Sequence, residues 1–354
     1  MKKCMKYIAV ACIAAMSLQM TACSSAAPAP EPSQPQKEEA ASTAGTEPAS
    51  AEALAENVKV AVIVKGMNSE FWQTVIAGAK KSGEDLGNVE ITAYGPPSEA
   101  NMDEQVTILE DVISKKPNAI VIASTSKEAT VPALEKAYAD GIKIILIDGS
   151  IESDSYDTFL ATDNEKGGAM AADTFVAKLK EEGKELKGKI GILSAMAGVQ
   201  SLTARNDGFI NRLKEIAPDI TIADTKYSNG DILKAVTAAE DMLTANADLI
   251  GFYADNNECG SAAAQVISER GREDELTAVA FDADESEIEA LKTGALDGIV
   301  LQDPYGMGYK AVASAVDAIN GKTLEKYIDT GVKVATKENM DEEEIHSLLY
   351  PQID

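Results

Sequence analysis

Histidine, cysteine and tryptophan are almost missing from this chain. His346 is the one histidine, eight residues from the end. A Ser-His-Asp triad would have only that residue, set in an acidic tail, to act as its base. Of four cysteines, Cys4, Cys12 and Cys23 fall in the first 23 positions and only Cys259 lies in the body. No disulfide can form within the body, and a cysteine-based zinc site lacks ligands. Cys259 opens an expected helix, but without a histidine base nearby it reads as a packing residue. No Walker loop, no post-strand GxGxxG and no HExxH is present. The run Asp282–Thr293 loosely follows a calcium loop, yet it lacks the glycine at position six and ends on Thr293 instead of a bidentate glutamate. No metal or cofactor is expected, and no nucleophile–base pair marks an enzyme.

Basic residues are also scarce, 32 against 58 acids, for a net charge of −26. Lys2, Lys3 and Lys6 precede Cys23, so a chain starting there is more acidic still. Such a charge repels anionic polymers and excludes nucleic acid as a partner. Long apolar runs are absent too. The apolar stretch from about Tyr7 to Met16 is too short to span a bilayer and follows a basic start, as in a secretory signal. Leu18-Gln19-Met20-Thr21-Ala22-Cys23 ends like a lipoprotein signal, with small residues before a cysteine that is lipidated and becomes the new N-terminus. Residues 1–22 are the expected signal peptide. Residues 23–56, rich in Ala, Pro, Ser and Glu and without an aromatic, are the expected disordered tether. A spacer of that length suits a protein anchored through Cys23 on the outer face of a cell membrane, in a Gram-positive-type envelope.

What is present is a repeated strand–helix pattern. In Val58–Gly83 an apolar run stops at Lys65, the first of six loop residues (Lys65 to Glu70), and Phe71, Val75 and Ala79 then recur four apart. Strands at Val89–Tyr94, Ala119–Ala123 and Lys143–Ile147 alternate with helices at Met102–Lys115 and Val131–Asp140. A second series begins after Thr158–Ala161. It has helices at about Gly168–Leu179, Thr203–Ile216, Ile232–Leu243, Cys259–Arg270 and Ser286–Thr293, with strands between them and a last helix ending near Ile319. Spacings of this kind predict βαβ crossovers and parallel sheets. Two series predict an α/β fold of two similar lobes joined by a multi-strand hinge, with a ligand cleft between. The expected boundaries are 58–161 plus 303–330 for one lobe and 162–302 plus 331–354 for the other. An eightfold βα barrel has a similar length and is the alternative.

Several apolar runs end in a polar residue: Lys65, Ser124-Thr125, Asp148, Asn256, Asp282 and Gln302. Ligands of open α/β sheets bind beyond the carboxyl ends of the strands. Converging carboxylates and amides can pair with the hydroxyls of a polyol, and Phe71 and Trp72 can offer flat faces to sugar C–H groups. Any one of these residues alone is as well explained by a solvated loop or a helix cap.

On KGMNSEFWQTVIAGA, TDNEKGG, ARNDGF, AVAFDAD and VLQDPYGMGYKAV, the stretch from Val58 to Thr336 resembles the type I periplasmic binding proteins of ribose- and galactose-type ABC importers. The resemblance implies that Phe71 and Trp72 are the paired aromatics of the ligand site and Asp148 its first acid. It further implies that Arg205, Asn256, Asp282 and Gln302 are ligand contacts. Gly149 stands where ribose binders have an arginine, and Gly230 about where they place an aromatic. Lys65 is then either the replacement positive charge, reaching in from the other side of the cleft, or a neutralising partner of Asp148 or Asp282. The implied function is capture of a monosaccharide or polyol by a monomeric lipoprotein and its delivery to ABC permease and ATPase subunits. A receptor for a sugar-like signal such as autoinducer-2, acting through a membrane sensor, is the alternative.

Overall fold

The computed structural model describes residues 57–351. The expected signal peptide, Cys23 and the tether lie outside the described residues. The first strand, β1 (Val58–Ile63), is buried along its length except at Lys59. Val60 and Val62 join one apolar cluster, Ala61 and Ile63 the cluster on the opposite face. A strand covered on both faces must be apolar throughout, which is why this run does not alternate.

Then come α1 (Glu70–Leu86), β2 (Val89–Tyr94), α2 (Met102–Ser114), β3 (Ala119–Ile122), α3 (Val131–Ala139), β4 (Lys143–Ile147) and β5 (Thr158–Ala161). The second series is α4 (Asn164–Glu181), β6 (Gly188–Ser194), α5 (Gln200–Ile216), β7 (Ile220–Tyr227), α6 (Ile232–Ala245), β8 (Leu249–Ala254), α7 (Asn257–Arg270), β9 (Thr277–Phe281), α8 (Glu285–Thr293) and β10 (Gly298–Leu301). The chain closes with α9 (Pro304–Ile319), β11 (Tyr327–Asp329), β12 (Lys333–Ala335) and α10 (Glu343–Leu349).

The strands form two six-stranded sheets, in the orders β11-β5-β4-β3-β1-β2 and β12-β10-β9-β8-β6-β7. The orders are the same in kind, and only the β10–β12 pair is antiparallel. Two separate sheets exclude the barrel. The chain passes from one sheet to the other after β5, after β10 and between β11 and β12.

Two helix pairs cross with their backbones in contact, α1 with α9 and α4 with α5. A methyl group on Gly78 would stand 2.0 Å from the Tyr305 carbonyl oxygen, and one on Gly308 2.0 Å from that of Val75. Gly168 against Arg205 and Gly208 against Glu165 repeat the arrangement at 2.0 Å. This corrects the expected start of α4 near Gly168. The helix begins at Asn164, capped by the Asp163 side chain, which accepts from the Lys166 N–H. Its glycines are there for close approach, not to end a loop. Neither β11 nor α10 was expected from the sequence. In the run that resembles a calcium loop, Asp284 and Glu287 instead form a capping box on α8.

Candidate functional site

Lys65 follows β1 by two residues and is 2% exposed. Its ammonium lies 2.5 Å from Asp148 Oδ2, itself buried. Both residues belong to the first sheet, at the ends of β1 and β4, with β3 between them. Of the two roles the sequence offered for Lys65, this pairing is the one in which it neutralises Asp148, and it comes from the same side of the cleft, not the opposite one. Gly149 stands next to it, where a methyl group would make only an ordinary contact, 3.7 Å from Lys65 Nζ. Gln105, buried on α2, holds this end of the sheet. Its amide donates to the carbonyls of Val64 (3.0 Å) and Ala123 (2.8 Å), and its oxygen accepts from Thr125. Thr125 and Ser124 are thus taken up in the turn after β3 and do not reach the cavity described below.

Phe71 and Trp72 stand in the first turn of α1, ring centroids 4.9 Å apart and nearly perpendicular. The Trp72 indole donates to Glu99 Oε1 at 2.6 Å. Lys65 Nζ is 5.7 Å from the Trp72 ring centroid. Burial raises the Glu99 carboxyl above its ordinary range, and the Lys65 charge and the indole bond oppose the rise.

The second sheet supplies the facing group. Arg205 on α5 is 3% exposed. Its Nε donates to Asn164 Oδ1 (2.8 Å), and one terminal nitrogen donates to the Asp255 carbonyl (2.7 Å) and to Asp282 Oδ2 (3.3 Å). The guanidinium carbon lies 4.2 Å from the Phe281 ring centroid. Gln302 donates to Asp282 Oδ1 at 2.5 Å. Burial raises the Asp282 carboxyl, with Arg205 pulling it back. Asn256 caps α7 by accepting from the Cys259 N–H, as the capping alternative foresaw, and its side of the helix start also faces the site. Cys259 is buried, and burial pushes its thiol well up, consistent with a packing role.

Asp148 and Asp282 are counterparts. Each follows the third strand from the same edge of its sheet. Each has positive φ, +61° and +69°, and donates its N–H to the neighbouring strand, to Leu160 and Val300 respectively. A left-handed non-glycine residue costs about 1 kcal/mol or more, and such strain concentrates at functional sites. Here it turns a carboxylate off the end of each sheet toward the space between them.

All eight sequence-selected residues, Lys65, Phe71, Trp72, Asp148, Arg205, Asn256, Asp282 and Gln302, line one cavity of about 40 Å³. That is a few times the roughly 10–15 Å³ that holds a single water. The same cavity is lined by residues the sequence reading missed, notably Glu99, Ser69, Ser201 and Asn257. Glu99 lies five positions past β2, in a Pro-Pro loop without periodicity, so strand-end reasoning did not reach it. A larger hollow of about 1180 Å³ shares Phe71, Asp282 and Gln302 and runs along α8 to Leu348–Pro351. Lys65, Asp148 and Arg205 line the small cavity and not the large one, and Asp282 lines both, which makes the small one the candidate binding site.

Comparison with known proteins agrees with this architecture. The model of the periplasmic binding protein domain matches residues 60–323. The ribose import binding protein of Bacillus subtilis is 27% identical over 278 residues, 78% of this chain and 87% of its own. A carbohydrate transporter solute binding protein from Agrobacterium radiobacter, solved with D-arabinose, is 35% identical with a TM-score of 0.80, over 83% of this chain and 99% of its own. An ABC transporter solute binding protein from Agrobacterium vitis, solved with D-fucose, is 35% identical with a TM-score of 0.78, over 82% and 100%.

Proposed function

The chain belongs to the periplasmic binding protein domain family, and from that premise we propose that it captures a monosaccharide or related polyol in the cleft between its lobes and delivers it to an ABC importer. Proteins of this family bind solutes and are not enzymes. The observation that carries the reading is the convergence of eight residues, chosen for their chemistry, around one cavity at the carboxyl ends of two parallel sheets. The sugars named for the relatives, ribose, D-arabinose and D-fucose, support a neutral monosaccharide.

In this reading Lys65, Phe71, Trp72 and Asp148 hold the ligand from the lobe of residues 58–161 plus 303–330. Arg205, Asn256, Asp282 and Gln302 hold it from 162–302 plus 331–354. Lipidation of Cys23 keeps the monomer at the outer face of the membrane, and the tether lets it reach the permease. The test is a thermal-shift panel of D-ribose, D-allose, D-arabinose and D-fucose on the full chain. At a hundred times the dissociation constant, the bound sugar adds about 2.7 kcal/mol of stability. Asp282→Ala or Arg205→Ala is expected to weaken that sugar by more than about 2 kcal/mol, because a buried charged hydrogen bond loses its partner. Near-native affinity in both variants would move the site elsewhere, and silence toward every sugar would overturn the ligand class.

A further inference from the structure

The charges around the cavity do not balance. Two cations, Lys65 and Arg205, stand with three carboxylates, Asp148, Asp282 and Glu99. Both cations are engaged by the protein itself. Lys65 pairs with Asp148, and Arg205 is shared among Asn164, the Asp255 carbonyl and Asp282. Among the described residues Glu99 has no cation within ion-pair distance, and its one hydrogen bond comes from the neutral Trp72 indole. Acceptors are meanwhile left over. The Gln302 carbonyl oxygen is buried without a partner, and a carboxylate oxygen that accepts one bond has capacity for more. Donors remain as well, since Lys65 makes one of its three possible bonds and one terminal nitrogen of Arg205 makes none. With one carboxylate more than cations in the lining, a ligand suited to it brings hydroxyls, which both donate and accept, and no negative charge.

We propose that Glu99 is a specificity-determining residue, whose carboxylate, the one in the cavity lining outside an ion pair, excludes ligands bearing a carboxylate or phosphate and leaves the cleft to uncharged, hydroxyl-rich ones. This rests on the sugar-binding reading above and adds the residue that turns charged ligands away. The physical reason is like-charge repulsion in a partly dry site, where a unit charge acts far more strongly than in water. Rejection by an unpaired charge is a common device of specificity. Asp148 and Asp282 cannot serve as well, because each already has its own cation.

Trp72 is the only tryptophan of the chain and touches Glu99 directly, so its emission reports on this site. The full chain is titrated with neutral sugars and their anionic counterparts: D-galactose and D-galacturonate, D-glucose and D-glucuronate, D-ribose and D-ribose 5-phosphate. Calorimetry serves as the second readout. For whichever neutral sugar binds, the anionic partner is expected to bind at least about a hundredfold more weakly. Glu99→Gln, which keeps an acceptor for the indole, narrows that ratio by about tenfold or more. Glu110→Gln, which removes an exposed charge on α2, leaves it unchanged. An anion that binds as well as its neutral partner overturns the proposal alone. So does a ratio that Glu99→Gln leaves where it was, since the exclusion is then a matter of size. Silence toward every sugar overturns the sugar reading and this proposal with it.

Discussion

Asp255 is buried beneath the site with three hydrogen bonds and, among the described residues, no ion pair. Its carboxylate accepts from the Ser194 hydroxyl, from the Ala195 N–H at 3.0 Å and from Asn206 at 2.9 Å. Arg205 next to it binds the Asp255 backbone carbonyl instead of the carboxylate. Burial raises this carboxyl to about 6, with the three hydrogen bonds opposing. The sign of the consequence follows. The native state holds the proton more tightly than the unfolded chain, whose aspartate titrates near 3.8. The stabilisation is therefore full below pH 3.8 and is lost as pH rises through about 6. The shift corresponds to about 3 kcal/mol. Urea unfolding at pH 4.5, 5.5 and 7 is expected to show a component of stability that rises toward acid and shrinks in Asp255→Asn. Equal pH slopes in the two proteins would show that Asp255 is not its source. The sequence analysis selected Asn256 at this strand end and passed over the adjacent Asp255. The pattern marks that a strand stops there, but which of two adjacent polar residues turns inward depends on backbone direction after the last ladder bond. Lys65, Asp148, Asp282 and Gln302 were easier to read, because each breaks an apolar run with no equally polar neighbour ahead of it.

At the scale of elements, the four glycines at the two helix crossings decide where the site residues stand. α1 carries Phe71 and Trp72 in its first turn, and its Gly78 meets α9. α5 carries Arg205, and its Gly208 meets α4 at the Glu165 carbonyl. A methyl group at 2.0 Å from a backbone oxygen cannot be absorbed by a side-chain rotation, so the helices must separate. Gly208→Ala gains about 1 kcal/mol of helix propensity and loses more to overpacking, which typically costs about 1–3 kcal/mol. A net loss of stability in urea unfolding is expected, with weaker sugar binding because Arg205 rides on the displaced helix. A variant as stable as the parent, with unchanged affinity, would show that the crossing has slack. These same glycines sit in four of the motifs that carried the family resemblance, Gly78, Gly168, Gly208 and Gly308. That explains why the fold was legible through them while the start of α4 was misread. A glycine pair reads as a break in a helix unless the partner helix is known. β11 has only three residues, too few for a period to show, and α10 begins in an acidic stretch that reads as a solvated tail.

Over the whole molecule, the polar bonding is divided by lobe. Lys65–Asp148 and Trp72–Glu99 are formed within the first, and Arg205, Asn164, Asp255 and Asp282 satisfy one another within the second. Gln302, which bonds Asp282, lies on a crossover. Among the described residues no side-chain hydrogen bond or ion pair joins the two faces of the cleft away from the crossovers. The lobes are linked by the three chain passages, with Thr162 and Thr330 hydroxyls 3.2 Å apart where two of them meet. A cavity of about 40 Å³ is too small for a sugar ring, so entry requires the faces to part. Little polar bonding across the cleft has to break for that to happen. A sugar that touches Asp148 on one side and Arg205 or Asp282 on the other then supplies the bridge that the protein lacks. It binds the closed form better than the open one, and that difference alone sets how far it can shift the balance between them. Small-angle scattering of the free protein is expected to give a larger radius of gyration than the sugar-saturated protein. Asp282→Ala should contract less at equal occupancy, having lost one end of the bridge. Identical scattering with and without a sugar that demonstrably binds would mean that the lobes hold together unaided and the ligand enters by side-chain motion alone.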